Sequence, residues 1–546
     1  MKKHPLVRCS ASTRALFSTL ALVALSPLLV SGVTLTWDSD ASSANGATDG
    51  QGTWNTTNTN WYPGGTNPQT DVVWSNTTAD IAVFGNGGVG NTVTVGTVNA
   101  GGITFAAVTT TAYTLNSGTI TLGSGAIIDN NSTINPRINS VLSGANIVFQ
   151  ADSGNTASSP TTNLFGVNSL TGTTVFGGGS NKLLAYVGNT GSLGTAAVSV
   201  LSGNTLRIAA LGTYSNNFTI AGNGVGSRGA INFGGTAVNF ATPVTLTGQI
   251  TLAGNAMVSN TSAQGLGVIS GNIVESVTSS RLTILSQAVP INLSGTNTYT
   301  GGTTINTGGS GLSGERVLFN NTAGSATGTG AITMNSTSAT LYATIGGGND
   351  AASGGTATTR GTGANVATSG TYAANVRGML TGTVSTGSFS HIAPGSGTQT
   401  ATAGTFTASV GTLTVGGLTL GTSNVLDYDF NTTNKTNDFV AVVGALTLGT
   451  GTTINLFQEG STSSYLATTG TYNLFSYGTL VGDVSNLSVA AASQQSGFTY
   501  SFVNDTADSL IQLQITAVPE PSTWAVGMLT MIAASGALWR RRKPLF

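Results

Sequence analysis

Cysteine, histidine and charged residues are all scarce in this chain of 546 residues. Cys9 is the only cysteine and precedes the apolar run near the N-terminus, so we expect a mature chain without disulfides or cysteine metal sites. His391 is the only histidine beyond the N-terminal segment. A histidine zinc site is therefore excluded, a catalytic triad would have to include His391, and we predict neither a catalytic residue nor a cofactor.

The formal net charge of −1 hides an uneven distribution of charge. Basic residues cluster at both ends of the chain, and the body between them carries nine basic and seventeen acidic residues, a balance of about −8. Such a body lacks the basic surface that nucleic acid requires, so we expect no nucleic-acid partner. The basic residues of the body are scattered singly: Arg137, Lys182, Arg207, Arg228, Arg281, Arg316, Arg360, Arg377 and Lys435.

Glycine, by contrast, is abundant, with 77 residues, and 39% of the chain is hydrophobic. Short runs alternate apolar residues with threonine, which is the period-2 pattern of a strand with one buried face. Their number and rough spacing predict an all-β, elongated parallel β-helix over 81–425, with several β-sandwiches in series as the alternative. Examples of the runs are 92–95, 102–105, 119–122, 244–246, 249–252 and 330–333.

Both ends of the predicted solenoid differ from its middle. Residues 1–32 have the basic, apolar and small-residue regions of a signal peptide. Residues 33–80 contain Trp37, Trp54, Trp61 and Trp74, which we interpret as an N-terminal cap, the alternative being a row of aromatics that stack on sugars. Residues 426–517 are again richer in aromatics and are predicted to form a C-terminal β cap.

One stretch of the middle carries a family resemblance. Residues 293–305 read Leu-Ser-Gly-Thr-Asn-Thr-Tyr-Thr-Gly-Gly-Thr-Thr-Ile, two strands joined by a glycine corner with Leu293, Tyr299 and Ile305 available to the interior. This stretch resembles the autotransporter-associated β-strand repeat, and 320–332, 392–395 and 411–415 resemble its usual continuation. The resemblance implies a right-handed parallel β-helix, as in exported autotransporter passenger regions.

The tail, 518–546, has three parts in order: Pro519, Glu520 and Pro521, then an uncharged stretch at 522–539, then Arg540, Arg541, Arg542 and Lys543. The uncharged stretch is long enough for a transmembrane helix, with the basic cluster as its cytoplasmic stop. The tail resembles the PEP-CTERM sorting domain. That resemblance implies handling by an exosortase, anchoring in the inner membrane before processing, and a final place at the surface of a Gram-negative cell or outside it.

Few residues suggest chemistry. The pairs Asp38 with Asp40 and Asp427 with Asp429 could bind calcium, but two carboxylates do not complete a calcium site, so we predict no metal and interpret them as solvated edge residues. Gly85 to Gly90 matches a dinucleotide fingerprint by letters alone, and no helix follows it.

We therefore predict a non-catalytic, exported structural or adhesin-like protein of the cell surface or extracellular matrix, with exopolysaccharide or other surface components as partners. The first alternative is a polysaccharide lyase or hydrolase on a β-helix, which would need two basic residues beside aspartates in one groove. A conventional autotransporter passenger is the third hypothesis. The sequence leaves open the adhesion target, the cleavage of the tail, the oligomeric state and whether either aspartate pair binds calcium.

Overall fold

The computed structural model describes residues 32–42, 45–66, 69–76, 80–152, 160–234, 243–260, 266–286, 290–307, 315–321, 323–337, 343–346, 371–374, 379–400, 406–461, 464–518 and 529–535. Almost all of the predicted signal peptide, the sorting motif Pro519, Glu520 and Pro521, and the basic cluster Arg540 to Lys543 lie outside these residues. Nothing in the structure therefore bears on those three predictions.

The first half of the chain forms short strands in which buried and exposed residues alternate, as in Thr92–Val95, because apolar residues alternate there with threonine. The strands are β1 Thr34–Trp37, β2 Gly52–Trp54, β3 Trp61–Tyr62, β4 Ile81–Phe84, β5 Thr92–Val95, β6 Thr97–Phe105, β7 Thr114–Asn116, β8 Thr119–Asn130, β9 Arg137–Ile138, β10 Val141–Ala145, β11 Val148–Gln150, β12 Thr161–Leu164, β13 Ser169–Thr171, β14 Thr173–Phe176, β15 Leu184–Val187, β16 Ala197–Val200, β17 Thr205–Ile208, β18 Gly212–Tyr214, β19 Phe218–Gly222, β20 Ile231–Phe233, β21 Val244–Leu246, β22 Ile250–Asn260, β23 Gly267–Ile269 and β24 Ile273–Glu275.

The second half continues in the same way. Its strands are β25 Leu282–Ser286, β26 Ile291–Leu293, β27 Thr303–Thr307, β28 Glu315–Phe319, β29 Ile332–Asn335, β30 Ala343–Ile345, β31 Thr371–Ala374, β32 Met379–Thr386, β33 His391–Ile392, β34 Ser396–Thr400, β35 Phe406–Ser409, β36 Thr412–Thr419, β37 Val425–Asn431, β38 Thr436–Asn437, β39 Phe439–Val442, β40 Ala445–Thr447, β41 Thr452–Gln458, β42 Gly470–Ser476, β43 Thr479–Val481, β44 Leu487–Val489, β45 Phe498–Asp505 and β46 Leu510–Ala517. Short 3-10 turns cover Val225–Ser227, Val484–Asn486 and Ala491–Ser493.

Most strands pair in parallel with a strand one coil further along the chain. Ladder A runs β4, β6, β8, β11, β14, β16, β19, β22. Ladder B runs β5, β7, β9, β12, β15, β17, β20, β22. Ladder C runs β18, β21, β23, β26, β28, β30, β33, β37, β41, β44. Parallel ladders that repeat once per coil are the arrangement of a β-helix, so the described residues support the predicted all-β solenoid.

The core lies between the ladders and is a stack of aliphatic side chains. On ladder B, one inward residue of each successive coil is completely or almost completely buried: Leu115, Ile138, Leu164, Val187 and Ile208. Each such burial contributes on the order of 1.5–3 kcal/mol, so the stability accumulates coil by coil.

The predicted repeat at 293–305 lies in this core. Leu293, Tyr299 and Ile305 are all buried, as the sequence predicted. The glycine corner is required by close packing: Gly302 has a φ of +84°, and a Cβ there would lie 2.4 Å from the carbonyl oxygen of Ala331 on the next coil. Glycine is the residue that fits such a backbone position.

Antiparallel strands stand at both ends of the parallel stack. Strand β1 pairs antiparallel with β3, and β46 pairs antiparallel with both β42 and β45. A further antiparallel sheet of β31, β34 and β35 lies beside the stack, where β35 contacts β37. The predicted boundaries at 32, 80, 425 and 517 stay predictions.

The predicted transmembrane helix over 522–539 is wrong. In the described part of the tail the helical residues are 529–535, and no helix among the described residues is long and apolar enough to cross a membrane.

Candidate functional site

The four N-terminal tryptophans are inside the protein. Trp37, Trp54 and Trp61 have no exposed surface and Trp74 is 1% exposed. Trp61 lies at the centre of the group, with its ring centroid 5.4 Å from Trp37 and 4.6 Å from Trp74. Buried rings cannot stack on a sugar, so the alternative of a sugar-binding row at this end of the chain is wrong.

Asp38, one of the carboxylates considered for calcium, is also buried and organises a turn. Its Oδ1 atom accepts hydrogen bonds from the backbone N–H groups of Asp40 and Thr48, both at 3.2 Å. Burial raises the pKa of Asp38 to about 6, and the nearby carboxylates of Asp71 and Asp40 add to the rise. Asp40, in contrast, is exposed. The two side chains therefore have different surroundings, and Asp38 serves the local fold.

His391 and Asp427 form a buried pair on ladder C. The Nδ1 atom of His391 lies 3.1 Å from Oδ2 of Asp427, and Oδ1 of Asp427 accepts a hydrogen bond from Nδ2 of Asn455 at 2.8 Å. His391 is 4% exposed and Asp427 is not exposed at all. The sequence analysis interpreted Asp427 as a solvated edge residue. Because the side chain is fully buried, that interpretation is wrong.

Asp429 and Asp438 continue this buried polar cluster. The carboxylate of Asp438 accepts hydrogen bonds from the backbone N–H groups of Gly411, at 2.7 Å, and Asp429, at 2.8 Å. Burial raises the pKa of Asp438 well above its ordinary value, and the charge of Asp429 adds to the rise. Glu459 accepts from the N–H of Val410 at 2.9 Å. Asp438 and Glu459 thus bind the backbone that directly follows β35.

No group of three or more histidine, cysteine, aspartate or glutamate side chains in the described residues is arranged to hold a metal ion.

A different set of residues meets on the outer surface of ladder B. Arg137 faces Asn163 in the register of β9 and β12, Asn163 faces Tyr186, and Tyr186 faces Arg207. Phe165 follows β12, and its N–H donates to the carbonyl of Ile138 on the coil before. Because side chains alternate along a strand, these outward positions share one face. We call Arg137, Phe165, Tyr186 and Arg207 the cation–aromatic row.

The row is a continuous stack of planar groups. The Cζ atom of Arg137 lies 3.7 Å from the ring centroid of Phe165. The rings of Phe165 and Tyr186 are stacked with centroids 5.7 Å apart, and Cζ of Arg207 lies 5.7 Å from the centroid of Tyr186. Arg137 is exposed and the other three are half-buried. Phe165 fits against the coil because the next coil has Gly188 beneath the ring.

The row is positively charged and unneutralised. Nε of Arg137 donates to the amide oxygen of Asn139 at 2.7 Å, and Nε of Arg207 is buried without a hydrogen-bond partner in the described part of the chain. Burial lowers the pKa of Arg207, and the charge of Arg228 nearby lowers it further. Within the same described ranges neither Arg137 nor Arg207 forms an ion pair. Such a surface can bind anionic groups through guanidinium N–H donors.

The sequence did not reveal this row, because its members are far apart in the chain and the coils differ in length. The register of ladder B is what brings Arg137 and Arg207 to one face.

Half of the chain is similar to part of a curated adhesin. Over 279 residues the chain is 28% identical to the adhesin BmaC autotransporter of Brucella suis biovar 1 (strain 1330). This similarity covers 50% of the chain and 6% of that adhesin, so the chain corresponds to a small part of the relative. No family model matches the chain. No solved structure matches it either. The similarity agrees with the autotransporter part of the resemblance seen in the sequence.

Proposed function

We propose that this protein is a non-catalytic, exported adhesin-like protein of the cell surface or extracellular matrix. The observation that carries the proposal is the similarity of half the chain to part of an autotransporter adhesin, together with the parallel β-helix of the described residues. A β-helix presents the same kind of outward side chain on successive coils, which suits attachment through many weak contacts.

The alternative, a polysaccharide lyase or hydrolase, gains no support from the carboxylates described above. Hydrolysis of a glycosidic bond requires two carboxylates flanking the bond in an accessible cleft. Asp38, Asp427, Asp429 and Asp438 are each fully buried. The partly exposed cation–aromatic row supplies positive charge and apolar surface, which suit binding.

Attachment of whole cells tests the proposal. Cells of the native host that lack the gene are compared with the same cells carrying the full-length gene, and adherent cells are counted on a surface coated with matrix from the wild type. We expect fewer adherent cells without the gene and recovery with it. Equal attachment of both strains would contradict the proposal.

Sorting by an exosortase is a separate part of the proposal and rests on the tail sequence alone, namely Pro519, Glu520 and Pro521 with the basic residues Arg540 to Lys543. Intact mass of the protein from its native host tests it. We expect the wild type to lack the residues after Pro521 and the Glu520→Ala variant to retain them. Asp508→Ala, which removes an exposed carboxylate from the body, is the control and should be processed normally. A full-length wild type would refute processing.

A further inference from the structure

We propose that the cation–aromatic row of Arg137, Phe165, Tyr186 and Arg207 binds a carboxylated polysaccharide laid along ladder B. This inference rests on the proposed adhesin-like function and names the chemical class of its ligand. Four observations carry it: the geometry of the row, its exposure, its charge and the state of its ring faces.

The two arginines are spaced along the axis of the solenoid. Three parallel strand pairings separate Arg137 from Arg207, which at ~4.8 Å per strand is about 14 Å. Phe165 and Tyr186 fill the interval between them. A polymer lying parallel to the axis can therefore place negative groups at both guanidinium groups while it crosses the rings of Phe165 and Tyr186.

The aromatic rings of the row are half-buried. Residues of ladder B alternate inward and outward, and the inward positions such as Leu164 and Val187 already fill the core. Phe165 and Tyr186 lie on the outward side, so part of each ring is open to a ligand. A purely structural role of the row would be that of a cross-strand stack.

The positive charge of the row favours a negatively charged ligand. The body of the protein has a net charge of about −8, yet neither Arg137 nor Arg207 forms an ion pair among the described residues, and Arg228 adds positive charge near Arg207. Carboxylates match the planar fork of a guanidinium group with two parallel hydrogen bonds.

The stack itself disfavours single-stranded nucleic acid. Binding of that kind depends on bases that stack on free aromatic faces. Here one face of Phe165 lies against Arg137 and the rings of Phe165 and Tyr186 lie against each other, with Arg207 beside Tyr186. Guanidinium N–H groups and the electropositive ring edges are what remains for a ligand, and both suit the carboxylate and hydroxyl oxygens of an acidic sugar.

Calorimetric titration of the full-length protein with polygalacturonate tests the inference. We expect binding by the wild type and at least about tenfold weaker binding by the double variant Arg137→Gln/Arg207→Gln, because each substitution removes a charged donor. The matched control is Arg281→Gln/Lys435→Gln, which removes the same charge from exposed positions elsewhere and should bind as the wild type does. Circular dichroism and the urea midpoint verify that both variants are folded.

Two further probes separate the ligand classes. Fully methyl-esterified polygalacturonate, which has no free carboxylates, should bind at least about tenfold more weakly than the free acid. A single-stranded oligothymidylate should also bind more weakly than polygalacturonate. Equal binding of the wild type and the row variant, equal binding of the ester, or tighter binding of the oligonucleotide would each overturn the inference.

Failure of this inference is distinguishable from failure of the proposed function. In one outcome, cells with the Arg137→Gln/Arg207→Gln chain attach as the wild type does, whereas cells without the gene do not attach. That result would refute binding by the row and leave the adhesin-like function standing. Equal attachment by cells without the gene would refute that function, and the titration would still decide whether the row binds carboxylated polymers.

Discussion

Nδ1 of His391 lies 3.1 Å from Oδ2 of Asp427, in a part of ladder C where both side chains are buried. The pair joins β33 to β37 across neighbouring coils, and Asn455 on β41 donates a hydrogen bond to Asp427. A buried, mutually satisfied polar cluster holds three coils in one register, because a shift of register would separate its members.

Removal of the Asp427 carboxylate is expected to destabilise this region strongly. Asp427→Ala leaves the polar groups of His391 and Asn455 buried without their acceptor, at a cost of about 2–4 kcal/mol. The urea midpoint measures the loss. Asp508→Ala removes an exposed carboxylate and should change the free energy of unfolding by less than about 0.5 kcal/mol. Equal midpoints for the two variants would show that the cluster contributes no stability.

Stability should depend on pH through Asp38. Burial raises the pKa of Asp38 from an ordinary value of 3.8 to about 6. The folded state therefore holds a proton that the unfolded state releases, so the contribution of Asp38 to stability is present at low pH and is lost as the pH rises from about 4 to about 6. In Asp38→Asn this pH dependence should be absent. Parallel profiles of urea midpoint against pH for wild type and variant would contradict the assignment.

The glycine corner of the repeat should tolerate no side chain. Gly302→Ala would place a Cβ 2.4 Å from the carbonyl oxygen of Ala331 at a φ of +84°, so we expect a loss of about 3 kcal/mol or more. Gly226 has a φ of +55°, and a Cβ added there would have no atom within 4 Å, so Gly226→Ala should cost only about 1 kcal/mol. Similar urea midpoints for both variants would mean that the corner is not tightly packed.

Loss of a buried tryptophan ring should strongly destabilise the N-terminal end of the solenoid. Trp61 has no exposed surface and contacts the rings of Trp37, Trp54 and Trp74. Trp61→Ala should therefore destabilise the first coils by about 3–5 kcal/mol. Hydrogen exchange of β1 to β4, measured against the exchange of β25 to β29 as an internal control, detects this. Unchanged protection of β1 to β4 would contradict the packing described.

Local patterns of the sequence predicted the strands well, because alternation of threonine with apolar residues decides which side of a strand is buried. The interior places of Leu293, Tyr299 and Ile305 followed from the same pattern. Long-range register could not be predicted, since the coils vary in length and nothing local shows that Arg137 and Arg207 share a face. Burial of Asp427 and Asp429 was missed for a related reason. Both residues lie on β37, and the pattern of that strand alone does not show that β35 contacts it.

We infer that the protein binds a polymer without cleaving it. The most direct test measures binding and cleavage of the polymer in one sample. Full-length protein is incubated with matrix polysaccharide of the native host, and the bound fraction and the chain-length distribution of the polymer are measured before and after. We predict that polymer is bound and that its length distribution does not change. Shortening of the polymer during incubation would contradict the claim and establish an enzyme.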